Sequence, residues 1–423
     1  MPQRCLRQPT VLLVLLLPIC FLTAGSPTSA PQAPAVGAWP QYRGPHQDGV
    51  SRETGLAREW PAGGPKVLWK RPLTGGYSSV AVADGRLYTQ TKEKNEEIVL
   101  CLDAGTGRTL WEFRYPCDYD EHPTMDQRFK SGPRATPTID GEHVYTLGTT
   151  GLLHCLAAKT GKKVWQRDLL ELAKRKIPEF GYCGSPLIVG DRLFVHPGGE
   201  QGNSLAALHK KDGRVLWQAL DDPIGYSTPI HITFNGAPQL IHFTARGAVA
   251  VTPDAGKLLW RYDWKTDFDL NVAMPIYADG KVFLSSNYGR GCALLQLKPA
   301  GDPEEVYTSL VMQNHFNTSV LFEGHLYGFS NDRLRCVEFA TGRMKWDKTG
   351  LRRGSLLIAD GHLIALGERG ELVLAEATPK AYVEKSRFQA LDGICWTVPV
   401  LAGGRLYVRN ERQLIAFNVT RPK

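Results

Sequence analysis

The sequence predicts an all-β fold: an eight-bladed β-propeller of four-stranded blades, closed by an N-terminal strand (66–73) that completes the last blade. Three observations carry this. A unit of four short strands recurs along the chain. A tryptophan marks the fourth strand of most units. The last unit lacks its fourth strand, while the first strand of the chain has no unit of its own.

The unit is visible in "YSSVAVADGRLYTQ" followed by "VLCLDAGTGRTLWEF", and again in "RATPTIDGEHVYTLGTTGLLHCLAAKTGKKVWQRD". Each copy reads strand, Asp-Gly-like turn, strand, variable loop, strand, Thr-Gly or Asp-Gly turn, and strand with tryptophan. The markers are Trp69, Trp111, Trp165, Trp217, Trp260 and Trp346; the first five stand 42, 54, 52 and 43 residues apart. Tyr307 fills the place midway through the 86 residues between Trp260 and Trp346, and Tyr382 is expected to replace the marker in the seventh unit. The eighth unit stops after three strands, so "KVLWKRPL" with Trp69 is expected to pair into it and remove the exposed edges of an open sheet. One large aromatic per blade is expected to fill the gap between neighbouring blades. Cys101, Cys155 and Cys336 recur at one third-strand position and are expected to be packing residues.

Composition agrees. Of 423 residues, 43% are hydrophobic and 22% charged, with 43 glycines, 28 prolines and 10 tryptophans, a turn-rich and aromatic-rich globular chain. Residues 1–30 read as a signal peptide: Arg4 and Arg7, the apolar run "VLLVLLLPICFL", then small residues with cleavage after Ser26 or Ala30. Cys20 lies inside the apolar run, which disfavours a lipid anchor, and residues 31–65 read as a leader before the propeller at 66–423. These features imply export to the periplasm or beyond, without a membrane span. The formal charge of +8 falls to +6 without Arg4 and Arg7, and its densest spot, "AKRKIP" at 173–178, is too short to imply nucleic-acid binding. Seven cysteines follow residue 30, with no CxxC and no Cys/His spacing suited to zinc. The acidic loop "CDYDEHPTMD" (117–126) has no recognisable metal-ligand spacing.

The "LDAxTGxxLW" unit resembles the pyrroloquinoline-quinone-type propeller repeat over residues 66–423. That family includes quinoprotein alcohol dehydrogenases and a noncatalytic subunit of the outer-membrane barrel-assembly machinery. The segments "WPQYRGPHQDGVS" (39–51), "GRGCALL", "NHFNTSVL" and "CWTVPVLAGGRLYVRN" resemble an exported bacterial subgroup of these propellers. The enzymes of the family imply a Ca²⁺ held by Glu, Asn and Asp, a catalytic Asp, a tryptophan platform and two adjacent cysteines. No two cysteines are adjacent here, and no Asp-x-Asp-x-Asp-Gly loop occurs. The reading favoured is therefore a noncatalytic exported scaffold with no cofactor, binding an envelope protein, peptide or polymer. Its alternatives are a PQQ- and Ca-dependent dehydrogenase and a carbohydrate-binding propeller.

The repeat also points to a face. The first-to-second and third-to-fourth turns are short, while the second-to-third loops and the blade connections vary. At that variable face the residues entering each innermost strand are Tyr77, Arg134, Tyr182, Tyr226, Asn271, Asn317, Arg353 and Trp396. They differ where the scaffold repeats, so they form the expected binding set: arginines for an anion, aromatics for stacking.

Overall fold

The computed structural model describes Met1 and residues 37–119 and 132–422. The latter two stretches belong to one compact unit, Pro34–Lys423. The signal peptide and most of the acidic loop lie outside the described residues. No helix among those described is long and apolar enough to cross a membrane.

Seven blades of four sequential antiparallel strands follow one another, at 81–116, 138–168, 187–219, 230–263, 276–309, 320–348 and 355–389, and an eighth begins with three strands at 400–418. The eighth is completed by Lys66–Pro72, paired antiparallel from Lys66 opposite Asn418 to Pro72 opposite Gln413. The third strand of blade 1, Glu96–Asp103, is buried along nearly its whole length because other blades cover both its faces. The outer strand Thr109–Pro116 is mostly half-exposed or exposed. First hairpins turn tightly at Asp84-Gly85, Asp279-Gly280 and Asp360-Gly361, whose residues all have positive φ, as two-residue hairpin loops require. The basic spot 173–178 follows a short helix, Leu169–Ala173.

The marker tryptophans join neighbouring blades. The indole N–H of Trp69, Trp111, Trp165 and Trp217 donates to the carbonyl of Ala104, Ala158, Lys210 and Pro253 in the next blade's third-to-fourth turn, at 3.1, 2.9, 2.9 and 3.1 Å. Trp346 reaches Thr378 in the same way, and the Tyr307 hydroxyl reaches Phe339. The rings of Trp69, Trp111, Trp165, Trp217 and Tyr307 lie against Gly107, Gly161, Gly213, Gly256 and Gly342, where an added Cβ would come within 2.6–2.9 Å of the ring. Glycine in these turns is thus required twice, by positive φ and by the neighbouring aromatic. Trp260 departs from the pattern and donates to Gln239 of its own blade. Cys101, Cys155 and Cys336 pair directly opposite Trp111, Trp165 and Trp346, buried, with the Cys155 thiol pushed up to about 12 by burial. All seven described cysteines are free.

Blade 7 corrects one expectation. The residue at its marker position is Ser386, opposite Leu374, not Tyr382. Tyr382 instead packs edge-on against Trp346 of blade 6, at 5.5 Å. Trp60, from the segment before the propeller, substitutes for the missing marker. Its backbone N–H donates to Ser386 Oγ at 2.7 Å, and its ring meets Phe388 edge-on within the cluster containing Ile364, Leu374 and Val419.

Residues 37–65 therefore do more than lead into the fold. Trp39 forms a two-bond bridge with Val82 of blade 1, and Pro40 accepts from Ile139 of blade 2. The buried Arg43 guanidinium donates to Thr318 and Ser319 carbonyls of blade 6 at 3.0 and 2.8 Å. Val50–Ser51 adds a parallel strand to the innermost strand of blade 7. One segment touching the inner strands of blades 1, 2, 6 and 7 must cross the axis of the ring. It then runs outward over the short-turn face. The Glu53 carboxylate accepts from Gly403 and Gly404, Leu56 donates to Asp360, and Trp60 follows. Replacing Trp60 by alanine is expected to destabilise the protein by about 3 kcal/mol, as much as Trp111→Ala, because each empties a gap between blades. Denaturant unfolding tests this; a loss below about 1 kcal/mol for Trp60→Ala alone would remove its marker role.

Candidate functional site

The inner strands aim one side chain per blade at the mouth on the variable-loop face. In seven blades this residue stands six positions before the end of the innermost strand: Tyr77, Arg134, Cys183, Val272, Phe316, Arg353 and Trp396. In blade 4, whose first hairpin is two residues longer, it is Tyr226. All eight line a single pocket of about 460 Å³. Below them lies a tier of Ser and Thr side chains, three of whose hydroxyls bond between blades. Ser185 Oγ accepts from Thr136 N–H, Thr228 Oγ1 accepts from Ser185 N–H, and Ser79 Oγ donates to the Val398 carbonyl. Tyr42 also lines the pocket and lies on the segment that crosses the axis; its neighbour Arg43 bonds carbonyls two and three residues below the mouth residue Phe316, so this segment closes the pocket from beneath.

One wall is a continuous aromatic arc. Ring centroids run from Phe268 to Tyr288 at 6.3 Å, Tyr288 to His315 at 5.3 Å, His315 to Phe316 at 3.8 Å, Phe316 to Trp396 at 4.5 Å and Trp396 to Tyr77 at 5.3 Å. The two ends of the Trp396–Tyr77 pair are anchored from behind. Trp396 Nε1–H donates to Glu368 at 3.0 Å, and the Tyr77 hydroxyl donates to Glu411 at 3.1 Å. At the other end of the arc, Phe268 and Tyr288 both have positive φ, 59° and 58°, a backbone region unfavourable to bulky residues, and Phe268 is 64% exposed. Around the ring the order is Arg353, Trp396, Tyr77, Arg134, so an arginine flanks each side of the aromatic pair.

Six residues of the expected set line this pocket: Tyr77, Arg134, Tyr226, Asn317, Arg353 and Trp396. Two do not. Tyr182 is buried between blades 2 and 3, with its hydroxyl donating to Pro197, and Asn271 is buried with its amide donating to Thr244 and Trp264 carbonyls. Both stand one residue before the true mouth position, and side chains of a strand alternate, so a one-residue slip sends them to the other side. Asn317 is displaced the other way: it borders the pocket, but its amide is bonded to Gly354, and Phe316 is the mouth residue of blade 6. Counting back from the hairpin turn, rather than forward from the loop, would have found Cys183, Val272 and Phe316. Nothing in the repeat signals Tyr42, Phe268 or Tyr288, which lie on segments without counterparts.

Burial and the nearby Arg353 cation push His315 down to about 3, so the imidazole facing Tyr288 is neutral. Other buried rings behave alike. Burial lowers His154, packed between Phe113 and Tyr115, to about 4; His196 falls to about 4 and His242 well below its ordinary value. Each has an unfolded-state value near 6.5. Below pH 6.5 the unfolded chain binds protons that the folded protein refuses until about pH 4, so stability is full above 6.5 and declines across that window. Each ring contributes up to about 1.4 kcal/mol per pH unit there. The melting temperature should drop several degrees from pH 7.5 to pH 5, and more gently in a His154→Phe, His242→Gln double variant. Equal slopes in variant and parent would contradict this account.

The donor set does not fit a calcium-bound quinone. Glu179 is the single carboxylate among the lining residues, and no group of three or more His, Cys, Asp or Glu suited to a metal occurs among the described residues. Trp396, the candidate platform, has Phe316 and Tyr77 packed against it.

Fold and mouth define a repeat propeller that carries a blind aromatic pocket on its axis. A family model described as outer membrane protein assembly factor BamB matches residues 95–348, and the chain belongs to this family. The outer membrane protein assembly factor BamB of Shewanella oneidensis is 25% identical over 236 residues, covering 51% of this chain and 56% of that protein. The dehydrogenase subunit of the quinone alcohol dehydrogenase of Komagataeibacter europaeus is 28% identical over 181 residues, 40% of this chain and 23% of that protein. The match thus spans little more than half of the first relative and under a quarter of the second. The crystal structure of quinohemoprotein alcohol dehydrogenase from Comamonas testosteroni superposes with a TM-score of 0.63 at 13% identity, covering 92% of this chain and 82% of that one, a likeness of fold alone.

Proposed function

We propose that the protein is a noncatalytic binding propeller of the cell envelope, whose variable-loop face, centred on the mouth pocket, engages a partner. The observation that carries this is the contrast between faces. Turn glycines and marker aromatics repeat from blade to blade, whereas the eight mouth positions hold Tyr, Arg, Cys, Tyr, Val, Phe, Arg and Trp. A structural row in a repeat has no reason to diversify in this way, while a binding surface has. Membership of a family described by an outer-membrane assembly factor supports an envelope location and an assembly role. A chain carrying Arg134→Gln, Arg353→Gln and Trp396→Ala is expected to lose the envelope proteins cross-linked by the parent, while Lys162→Glu on the opposite face keeps them. Identical cross-linked sets for both variants and the parent would refute the assignment of the face.

The competing reading is a quinone-dependent dehydrogenase, favoured only by the likeness to quinone alcohol dehydrogenases. With one carboxylate in the lining, pyrroloquinoline quinone plus Ca²⁺ is expected to bind no tighter than quinone alone and to give no dye-linked alcohol oxidation. Calcium-dependent binding with turnover would reverse the conclusion.

A further inference from the structure

We propose that the mouth pocket takes a carboxylate carried on an apolar, aromatic body that enters end-on along the propeller axis. This rests on the reading of the mouth as a binding site and adds the chemistry of the ligand. Three features select it.

The first is shape. The pocket holds about 460 Å³ and is closed beneath by the segment carrying Tyr42, so it admits the end of a molecule and not the middle of a chain. Tyr42 is fixed there by its neighbour Arg43, which is buried and bonded to four backbone carbonyls: Gln47, Asp48, Thr318 and Ser319.

The second is charge. Arg353 is exposed at the rim and makes no hydrogen bond or ion pair among the described residues. Tyr288 and His315, which feel its charge, are bonded to each other and neutral, so neither balances the cation. Glu368 and Glu411 lie behind the aromatic pair and accept from Trp396 and Tyr77. A planar guanidinium beside an apolar wall suits a carboxylate, which it binds through two parallel hydrogen bonds.

The third is the wall. Phe268, Tyr288, Phe316 and Trp396 present ring surface, and Phe268 and Tyr288 are held there at positive φ. Beneath, the hydroxyls of Ser79, Ser185 and Thr228 are engaged between blades and the Thr136 hydroxyl is buried, which leaves few polar groups for a polyol.

The test is calorimetric titration of the full chain with N-acetylphenylalanine and with its amide, which differ only in the charge. The acid is expected to bind about tenfold tighter than the amide. Arg353→Gln should abolish that preference, and Phe268→Ala should weaken both probes by about fivefold, with unchanged melting temperatures showing both variants folded. An octapeptide ending in free phenylalanine locates the source. Binding tighter than the acetylated residue points to a polypeptide terminus; equal binding points to a small aromatic acid. Equal affinity for acid and amide, or no binding of either, overturns the carboxylate assignment while leaving the cross-linking result, and with it the partner-binding face, intact. Acid preference that persists in Arg353→Gln also overturns it.

Discussion

Five of the eight junctions of this ring set one aromatic ring against one glycine. The indole of blade n lies over the turn of blade n + 1, its N–H held by a carbonyl of the same turn, as Trp111 lies over Gly161 and bonds Ala158. The contact joins dispersion, burial of a large flat surface and one hydrogen bond at a single point. It also restricts both partners. The aromatic needs a turn without Cβ, and the turn needs φ near 70°, so the Thr-Gly pair and the tryptophan recur together. Three junctions relax the rule. At Trp346 the bond to the Thr378 carbonyl remains, but no glycine among the described residues lies under the ring. At Trp260 the bond stays within the blade, and between blades 7 and 8 the marker is supplied from elsewhere in the chain.

That last exception ties stability to the site. One continuous segment, 37–72, crosses the axis, covers the short-turn face, inserts Trp60 between blades 7 and 8 and ends as the outer strand of blade 8. The ring is closed by strand pairing at its rim and by backbone and guanidinium hydrogen bonds at its centre. Because the same segment places Tyr42 under the mouth, closing the ring also sets the depth of the pocket. A propeller closed by a C-terminal strand would lack this coupling.

The fold was legible in the sequence because its constraints repeat. Six tryptophan markers among eight recurring turn-and-strand units outweigh any ambiguity in one copy, and the unpaired strand at 66–73 shows where closure must occur. The mouth was legible to within one residue. Tyr77, Arg134, Arg353 and Trp396 follow from blade order, whereas Tyr182 and Asn271 were misassigned because loop length does not fix strand register, and the hairpin turn does. The role of 39–51 was not legible. Its residues occur once, and Trp39, Tyr42 and Arg43 are buried by strands distant in sequence. Trp60 was hidden for a related reason: Tyr382 lies close enough to the expected spacing to stand in for a marker, and only pairing of Ser386 with Leu374 shows the position to be empty.

The contrast between the two faces also explains how one scaffold serves both dehydrogenases and assembly factors. The inter-blade contacts use the outer strands and the short turns, and they leave the residues entering the inner strands without a structural duty. Those positions are held in a fixed circle by a rigid ring, so a change in side chain alters the pocket without altering the fold. In this chain the circle holds two arginines and four aromatic rings, and Glu179 is the single carboxylate among the residues lining the pocket. Charge of that sign repels a bare divalent cation and attracts an anion, and the strained backbone at Phe268 and Tyr288 keeps apolar surface turned toward the opening. This charge balance is the physical basis of the carboxylate ligand proposed for the pocket, whatever chemistry the same circle supports in its relatives.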